Sequence, residues 1–217
     1  MTKICCISDT HDLLDYIDLP DADLLVHAGD ISMMGTVEQI LKFNEDCGRI
    51  EHKFKYGIVF IAGNHDWLFQ KNNLLARSLI TNATYLEDSH VTINGLKIYG
   101  APWQPTFYNW AFNLDRGLPI KAKWDLIPDD VDVLITHGPP YGILDVVGPN
   151  RFNPVALHVG CEELAKRIEQ IPNLKLHVSG HLHNSHGFQK IGDKVFISAS
   201  SLNDHYRVAN RPIILDL

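Results

Sequence analysis

Five short apolar runs punctuate the chain, at Ile4 to Ile7, Leu24 to Val26, Ile58 to Ala62, Val131 to Ile135 and Leu174 to Val178. They are rich in β-branched residues and mostly lack strict polar alternation, a pattern that predicts strands covered on both faces in an α/β sheet. Helical patterns lie between them. Thr36 precedes Val37, Ile40 and Leu41, with Gln39 at the capping-box position. Leu74 to Ile80 is apolar with helical spacing, and Cys161 to Ile171 sets Leu164 and Ile168 one turn apart over charged neighbours. Two hairpins are expected. Val91 to Tyr99 turns at Asn94-Gly95 and Gly187 to Ser198 turns near Gly192-Asp193, pairs that favour the positive φ of tight primed turns. The expected fold is an α/β sandwich of two mixed β-sheets face to face, the second more antiparallel, flanked by helices.

No repeat, low-complexity tract or linker interrupts the 217 residues, so a single domain over 1–217 is expected. No apolar run reaches the roughly 18 residues of a membrane span, which excludes a membrane protein. The N-terminus shows no charged leader or cleavage site, and a cytoplasmic protein is expected. The four cysteines, Cys5, Cys6, Cys47 and Cys161, have neither disulfide nor zinc spacing and read as buried thiols in a reducing compartment. With a net charge of −7 and no run of Lys and Arg, the chain lacks the electrostatic footprint of a long nucleic-acid partner. A small substrate fits better.

Candidate chemistry sits where the apolar runs end. The first is followed by Ser8-Asp9-Thr10-His11, the second leads to Gly29-Asp30, and the third to Gly63-Asn64-His65-Asp66. The fourth runs into Thr136-His137-Gly138-Pro139-Pro140 and the fifth into Gly180-His181-Leu182-His183. Ligands of open α/β sheets bind outside the carboxyl ends of the strands, so these groups are expected to meet in one crevice. Carboxylate, amide oxygen and imidazole without thiolate suit Mn, Fe, Zn or Co. Two such ions sharing a bridging carboxylate would clamp the phosphoryl oxygens of an in-line displacement.

Taken in order, Asp-x-His, Gly-Asp, Gly-Asn-His-Asp, the Gly-flanked His137 and Gly-His-x-His resemble the calcineurin-like metallophosphoesterase superfamily. Tyr99 to Pro105, Trp110 to Leu114, His137 to Pro140 and Val159 to Leu164 are similar to its metallophosphoesterase-domain-containing branch, whose members act as metal-dependent phosphodiesterases, including on cyclic nucleotides. The resemblance implies one divalent ion on Asp9, His11 and His183, a second on Asn64, His137 and His181, and Asp30 bridging them. Manganese is the first expectation, with iron, zinc or cobalt as alternatives. It further implies that a metal-bridging hydroxide attacks a small phosphodiester, that His65 protonates the leaving oxygen, and that Asp66 orients and supports the His65 imidazolium.

Substrate contacts are expected from Trp103 or Tyr108, as a wall for a nucleobase, and from Arg151, Asn153 and His186. The remaining histidines, His27, His52, His90, His158, His177 and His205, read as surface or hydrogen-bonded residues. Phosphomonoesterase or nuclease activity on the same centre, or a scaffold that keeps the fold without catalysis, are the competing readings.

Overall fold

The β-branched runs form strands because each has apolar cover on both faces. In the computed structural model, which describes residues 1–148 and 155–217, the first sheet is built from β1 (Lys3–Ile7), β2 (Leu24–His27), β3 (Ile58–Phe60) and β4 (Thr84–Tyr85). The second is built from β5 (Ser89–Ile93), β6 (Leu96–Ala101), β7 (Val133–Thr136), β8 (Leu176–Ser179), β9 (Gly187–Ile191) and β10 (Lys194–Ser198). A last strand, β11 (Ile213–Asp216), returns to the first sheet. The orders are β11-β1-β2-β3-β4 and β9-β10-β8-β7-β6-β5.

Between the sheets lies one apolar layer that takes Ile4, Cys6, Val26 and Val59 from the first sheet and Ile98, Val133, Val178 and Ile197 from the second. The outer face of the first sheet packs on α1 (Val37–Ile50), α2 (Trp67–Lys71) and α3 (Asn73–Ser78). The outer face of the second packs on α4 (Leu118–Trp124) and α5 (Glu162–Glu169). Cys5 and Cys6 show the pleat directly, since Cys5 faces the helices and Cys6 the opposing sheet. Helix α1 starts at the expected capping box, in which Thr36 Oγ1 accepts from Gln39 N at 3.3 Å and Gln39 Oε1 accepts from Thr36 N at 3.2 Å.

Both expected hairpins form, and they take the two edges of the second sheet: β5 with β6, turning at Asn94 and Gly95 in positive φ, and β9 with β10, turning at Gly192. The second sheet is less antiparallel than its hairpins suggested. Its central strands β6, β7, β8 and β10 are parallel, because α4 and α5 carry the chain back over the outer face before β7 and β8, and the edge strand β9 returns it before β10. No helix among the described residues is long and apolar enough to cross a membrane.

Two buried histidines occupy matching places in the two sheets. His27 closes β2 and bonds Thr10 Oγ1 at 2.9 Å; His177 lies in β8 and bonds Thr136 Oγ1 at 2.8 Å. The Thr136 hydroxyl gives its own proton to the Gly138 carbonyl, so it accepts from His177 Nε2–H. Burial pushes His177 down to about 3 from an ordinary 6.5. The unfolded chain therefore binds a proton between these values that the folded protein does not, and stability is complete above pH 6.5 and lost as pH falls. For the wild type in EDTA, urea unfolding is expected to lose about 2 kcal/mol through this residue between pH 7 and pH 5. His177→Gln should flatten that slope, and an unaltered slope would remove the assignment.

Candidate metal centre

At the carboxyl ends of β1, β2, β3, β7 and β8 the chain leaves the sheets in tight loops that converge at one end of the sandwich. Asp9, His11, Asp12, Asp30 and His181 hold positive φ values between 41° and 69°. Such conformations are costly for residues with side chains, and they persist here because neighbouring backbone over-determines them. Asp9 N donates to Gly29 O, His11 N to Asp30 O and Asp12 N to Ile31 O, which zips the first loop to the second. A Cβ at Gly29 would stand 2.6 Å from Ala62 O and 2.7 Å from His137 Nδ1, so only glycine allows this approach.

Both central carboxylates are held by protein donors and still face the cluster, and His181 N donates to Asp9 Oδ1 at 3.0 Å and to Oδ2 at 3.1 Å. Asp9 Oδ2 accepts from Ser8 Oγ and from Ser200 Oγ, while Asp9 Oδ1 lies 3.6 Å from His183 Nε2. Asp30 Oδ1 accepts from His65 N at 2.8 Å, while Asp30 Oδ2 faces His137 Nε2 at 3.4 Å and His11 Nε2 at 3.7 Å. His11 and His183 bring their Nε2 atoms within 3.4 Å of each other, and Asn64 Oδ1 stands 2.9 Å from His137 Nε2 and 2.8 Å from His181 Nδ1. Two groups of donors thus meet at Asp30.

The imidazoles are set for ligation by their far nitrogens. Nδ1 of His11, His137 and His183 faces the carbonyls of Ser32, Ala28 and Asn203 at 3.3, 2.9 and 3.0 Å, which places the proton on Nδ1 and leaves Nε2 free. Ligands on one ion at bond lengths of about 2.1 Å lie roughly 3.0–3.4 Å apart, close to these separations. Among the described residues, the sets Asp9-His11-His183, His11-Asp30-His65 and Asp9-Asp30-His137 each converge closely enough to hold a metal ion. The residues present fit divalent cations.

Charge tells the same story. Burial alone would raise Asp9 and Asp30, yet the histidines around them hold both carboxyls well below the usual carboxylate range. Burial lowers His137 and His183, but the adjacent carboxylates carry each to about 9. Burial keeps His11 low and His181 at about 4. Without a cation, imidazolium protons balance the carboxylates, and metal binding would release them.

Residues 2–185 match the model of the family described as Calcineurin-like phosphoesterase. Metallophosphoesterase domain-containing protein 1 of Homo sapiens is 39% identical over 239 residues, covering 100% of this chain and 71% of its own. The chain belongs to the calcineurin-like phosphoesterase family. A further relative, the Probable glycerophosphodiester phosphodiesterase GpdQ of Arcobacter nitrofigilis, is 27% identical over 183 residues, 76% of this chain and 58% of its own. The fold is shared with the crystal structure of phosphopantetheinyl hydrolase from Mycobacterium tuberculosis, at TM-score 0.60 and 15% identity over 97% and 95% of the two chains. Members of this family are metallophosphoesterases that depend on a dinuclear metal centre, and the Asp/His clusters above are where this chain would hold its metal.

The structure brings together Asp9, His11, Asp30, Asn64, His65, His137, His181 and His183, and sets other expected residues elsewhere. Asp66 does not touch the His65 ring: His65 Nδ1 meets Met33 O at 2.7 Å. The Asp66 carboxylate instead accepts from Ile31 N, Ser32 N, Ser32 Oγ and Gly63 N, clamping the second loop to the third, because four donors point at it and none comes from an imidazole. Trp103 packs on Phe112 beneath the aromatic loop, with its Nε1 on Asp88 and Lys123 over its ring, and forms no wall of the cleft. Tyr108 does line the cleft. His186 faces Arg211 O rather than the cluster. Arg151 and Asn153 lie outside the described residues.

Three residues of the cleft are not among the expected site residues, although Trp110 opens the Trp110 to Leu114 stretch of the branch resemblance. Trp110 stacks on His65 with centroids 4.2 Å apart, Phe107 meets His181 edge-on at 6.0 Å, and Tyr206 stands 4.9 Å from His11 and 5.2 Å from His183. Tyr206 is also left-handed, at φ 55°, in a turn that Asn203 closes. Asp66→Ala would leave its donors buried without an acceptor at about 1–3 kcal/mol each. Urea unfolding in EDTA should show a loss of several kcal/mol by that principle. A midpoint equal to wild type would refute the clamp.

Proposed function

We propose that this chain is a two-metal phosphodiesterase that hydrolyses small phosphodiesters. The observation that carries the reading is the pair of donor groups that meet at Asp30, with His65 beside them in an open cleft of about 270 Å³. Manganese is the ion we expect there, in line with the hard and borderline donor set. Two bound ions would supply a nucleophile from water at neutral pH and neutralise the phosphoryl oxygens.

The protein's own groups supply the rest. Although His65 converges with His11 and Asp30, we assign it the acid's part and not a ligand's; its Nδ1–H is committed to Met33 O, so Nε2 is the atom that would deliver a proton to the leaving oxygen. Trp110, inclined at 30° to the His65 ring, fixes the plane in which that proton is presented. Tyr206 roofs the first donor group. The acidic balance of the chain and the absence of a basic run favour a small diester over a polymer. The relationship to a protein named as a glycerophosphodiester phosphodiesterase supports a diester substrate.

His65→Ala is expected to retain its metal content and to lose about 10²–10⁴-fold in kcat on bis-p-nitrophenyl phosphate with Mn. Asp30→Ala should lose metal as well as activity. Faster turnover of p-nitrophenyl phosphate than of the diester would replace the diesterase reading with a monoesterase one. Rates that climb with oligonucleotide length would replace it with a nuclease.

A further inference from the structure

Beside the cleft lies a second concavity, of about 450 Å³, which the chemistry above leaves unused. It meets the donor cluster at His181 and is walled by Phe107, Tyr108, Pro139, Val147 and Val159. Three stretches that mark the branch resemblance converge there, Tyr99 to Pro105 giving Pro105, the His-Gly-Pro-Pro block giving Pro139 and the Val159 to Leu164 block giving Val159, while Phe107 and Tyr108 come from the loop that follows the first. The volume falls within the range of small-ligand sites.

The walls are fixed before any ligand arrives. Arg116 spends its guanidinium on Gly160 O and Val159 O, both at 2.7 Å, and on the Glu162 carboxylate. The buried Asp145 carboxylate accepts from Gly142 N at 2.9 Å and Gly160 N at 3.0 Å. On the opposite side Asn113 Nδ2 donates to the carbonyls of Phe107 and Tyr108, both at 3.1 Å, with Tyr108 held at φ 48°. Two aromatic rings are thus kept largely in solvent, Phe107 at 50% and Tyr108 at 81% exposure, on a strained lip. Among the described residues the one cation of the lining, Arg116, is already paired, so these walls suit an uncharged flat group better than a second phosphate or a carboxylate.

We propose that this concavity binds an aromatic or heteroaromatic substituent of the phosphodiester, and that this substituent is the one retained on phosphorus after cleavage. The inference rests on the phosphodiesterase reading above. The leaving oxygen must reach His65, which lines the metal cleft but not this concavity. The group seated beyond His181 is therefore the one that stays.

The test uses the Mn-loaded protein with two non-hydrolysable probes, phenylphosphonate and methylphosphonate, measured by calorimetry. Phenylphosphonate should bind at least about tenfold more tightly, which is the scale of burying one ring face in a formed pocket. Val159→Trp and Thr106→Trp, which fill the concavity from opposite walls, should each bring the ratio of the two dissociation constants close to one. If one of them fails to fold, the other carries the comparison. Turnover is followed separately with methyl and phenyl p-nitrophenyl phosphate, which share a leaving group; KM should be lower for the phenyl ester, and the filled variants should erase the difference. Equal affinities in the wild type, or a preference that survives both fillings, overturn the aromatic site while leaving diester hydrolysis standing. A binding preference without hydrolysis of either diester would instead remove the phosphodiesterase reading and with it the retained-group assignment.

Discussion

Two carboxylates, those of Asp9 and Asp30, are fully buried side by side at the strand ends with no lysine or arginine paired to them among the described residues. An unpaired buried charge is prohibitive, so the surrounding structure is arranged to offset them. Serine hydroxyls and the His181 N–H satisfy Asp9, the His65 N–H satisfies one oxygen of Asp30, and each carboxylate keeps an oxygen facing the imidazoles or what the imidazoles would hold. The left-handed conformations of the loops are what bring these donors to bear. The cost of that strain is met because the two sheets, locked through the apolar layer between them, give the loops fixed ends.

That arrangement also explains why the two sheets resemble each other at their outer faces. His27 and Thr10 stand behind the Asp9 to His11 loop as His177 and Thr136 stand behind His137. In each case a buried neutral histidine gives an N–H to a threonine hydroxyl next to a metal-competent residue. Burial drives both histidines down to about 3, so they stay neutral where the cluster itself is charged. A charged His27 would compete with the ions for Asp9 and Asp30, whose charges reach it.

Much of this was legible in the sequence. The five apolar runs end at the loops that carry the candidate ligands, because strand ends and sharp glycine turns leave local marks. The Asn94-Gly95 hairpin and the Thr36 capping box are local in the same way. What could not be read depends on contacts between distant segments. Asp66 follows His65 in the chain and suggests a partner for it, yet loop folding turns its carboxylate toward Ser32 and Gly63. Trp103 and Trp110 are alike by composition, and only the path of the loop between them decides that one packs on Phe112 and the other on His65. Tyr206 reaches the centre from a turn near the chain end, beyond the last motif, and left no signal except its neighbour Asn203.

The two halves of the site are held by separate devices, and this has a consequence for how chemistry and selectivity relate. The ligand cluster is fixed by loop-to-loop hydrogen bonds and by the Asp66 clamp at the ends of the central strands. The neighbouring concavity is fixed by Arg116, Asp145 and Asn113, none of which touches a candidate ligand. Changes in the aromatic loop or in the Val159 block therefore reshape what can sit beside the phosphate without disturbing the carboxylates that the centre is built to neutralise. His181 is the one candidate ligand common to both, facing Asn64 with Nδ1 and Phe107 with its ring edge. With Phe107 and Tyr108, which line both the cleft and the concavity, that imidazole is a point where the bound substituent can act on rate.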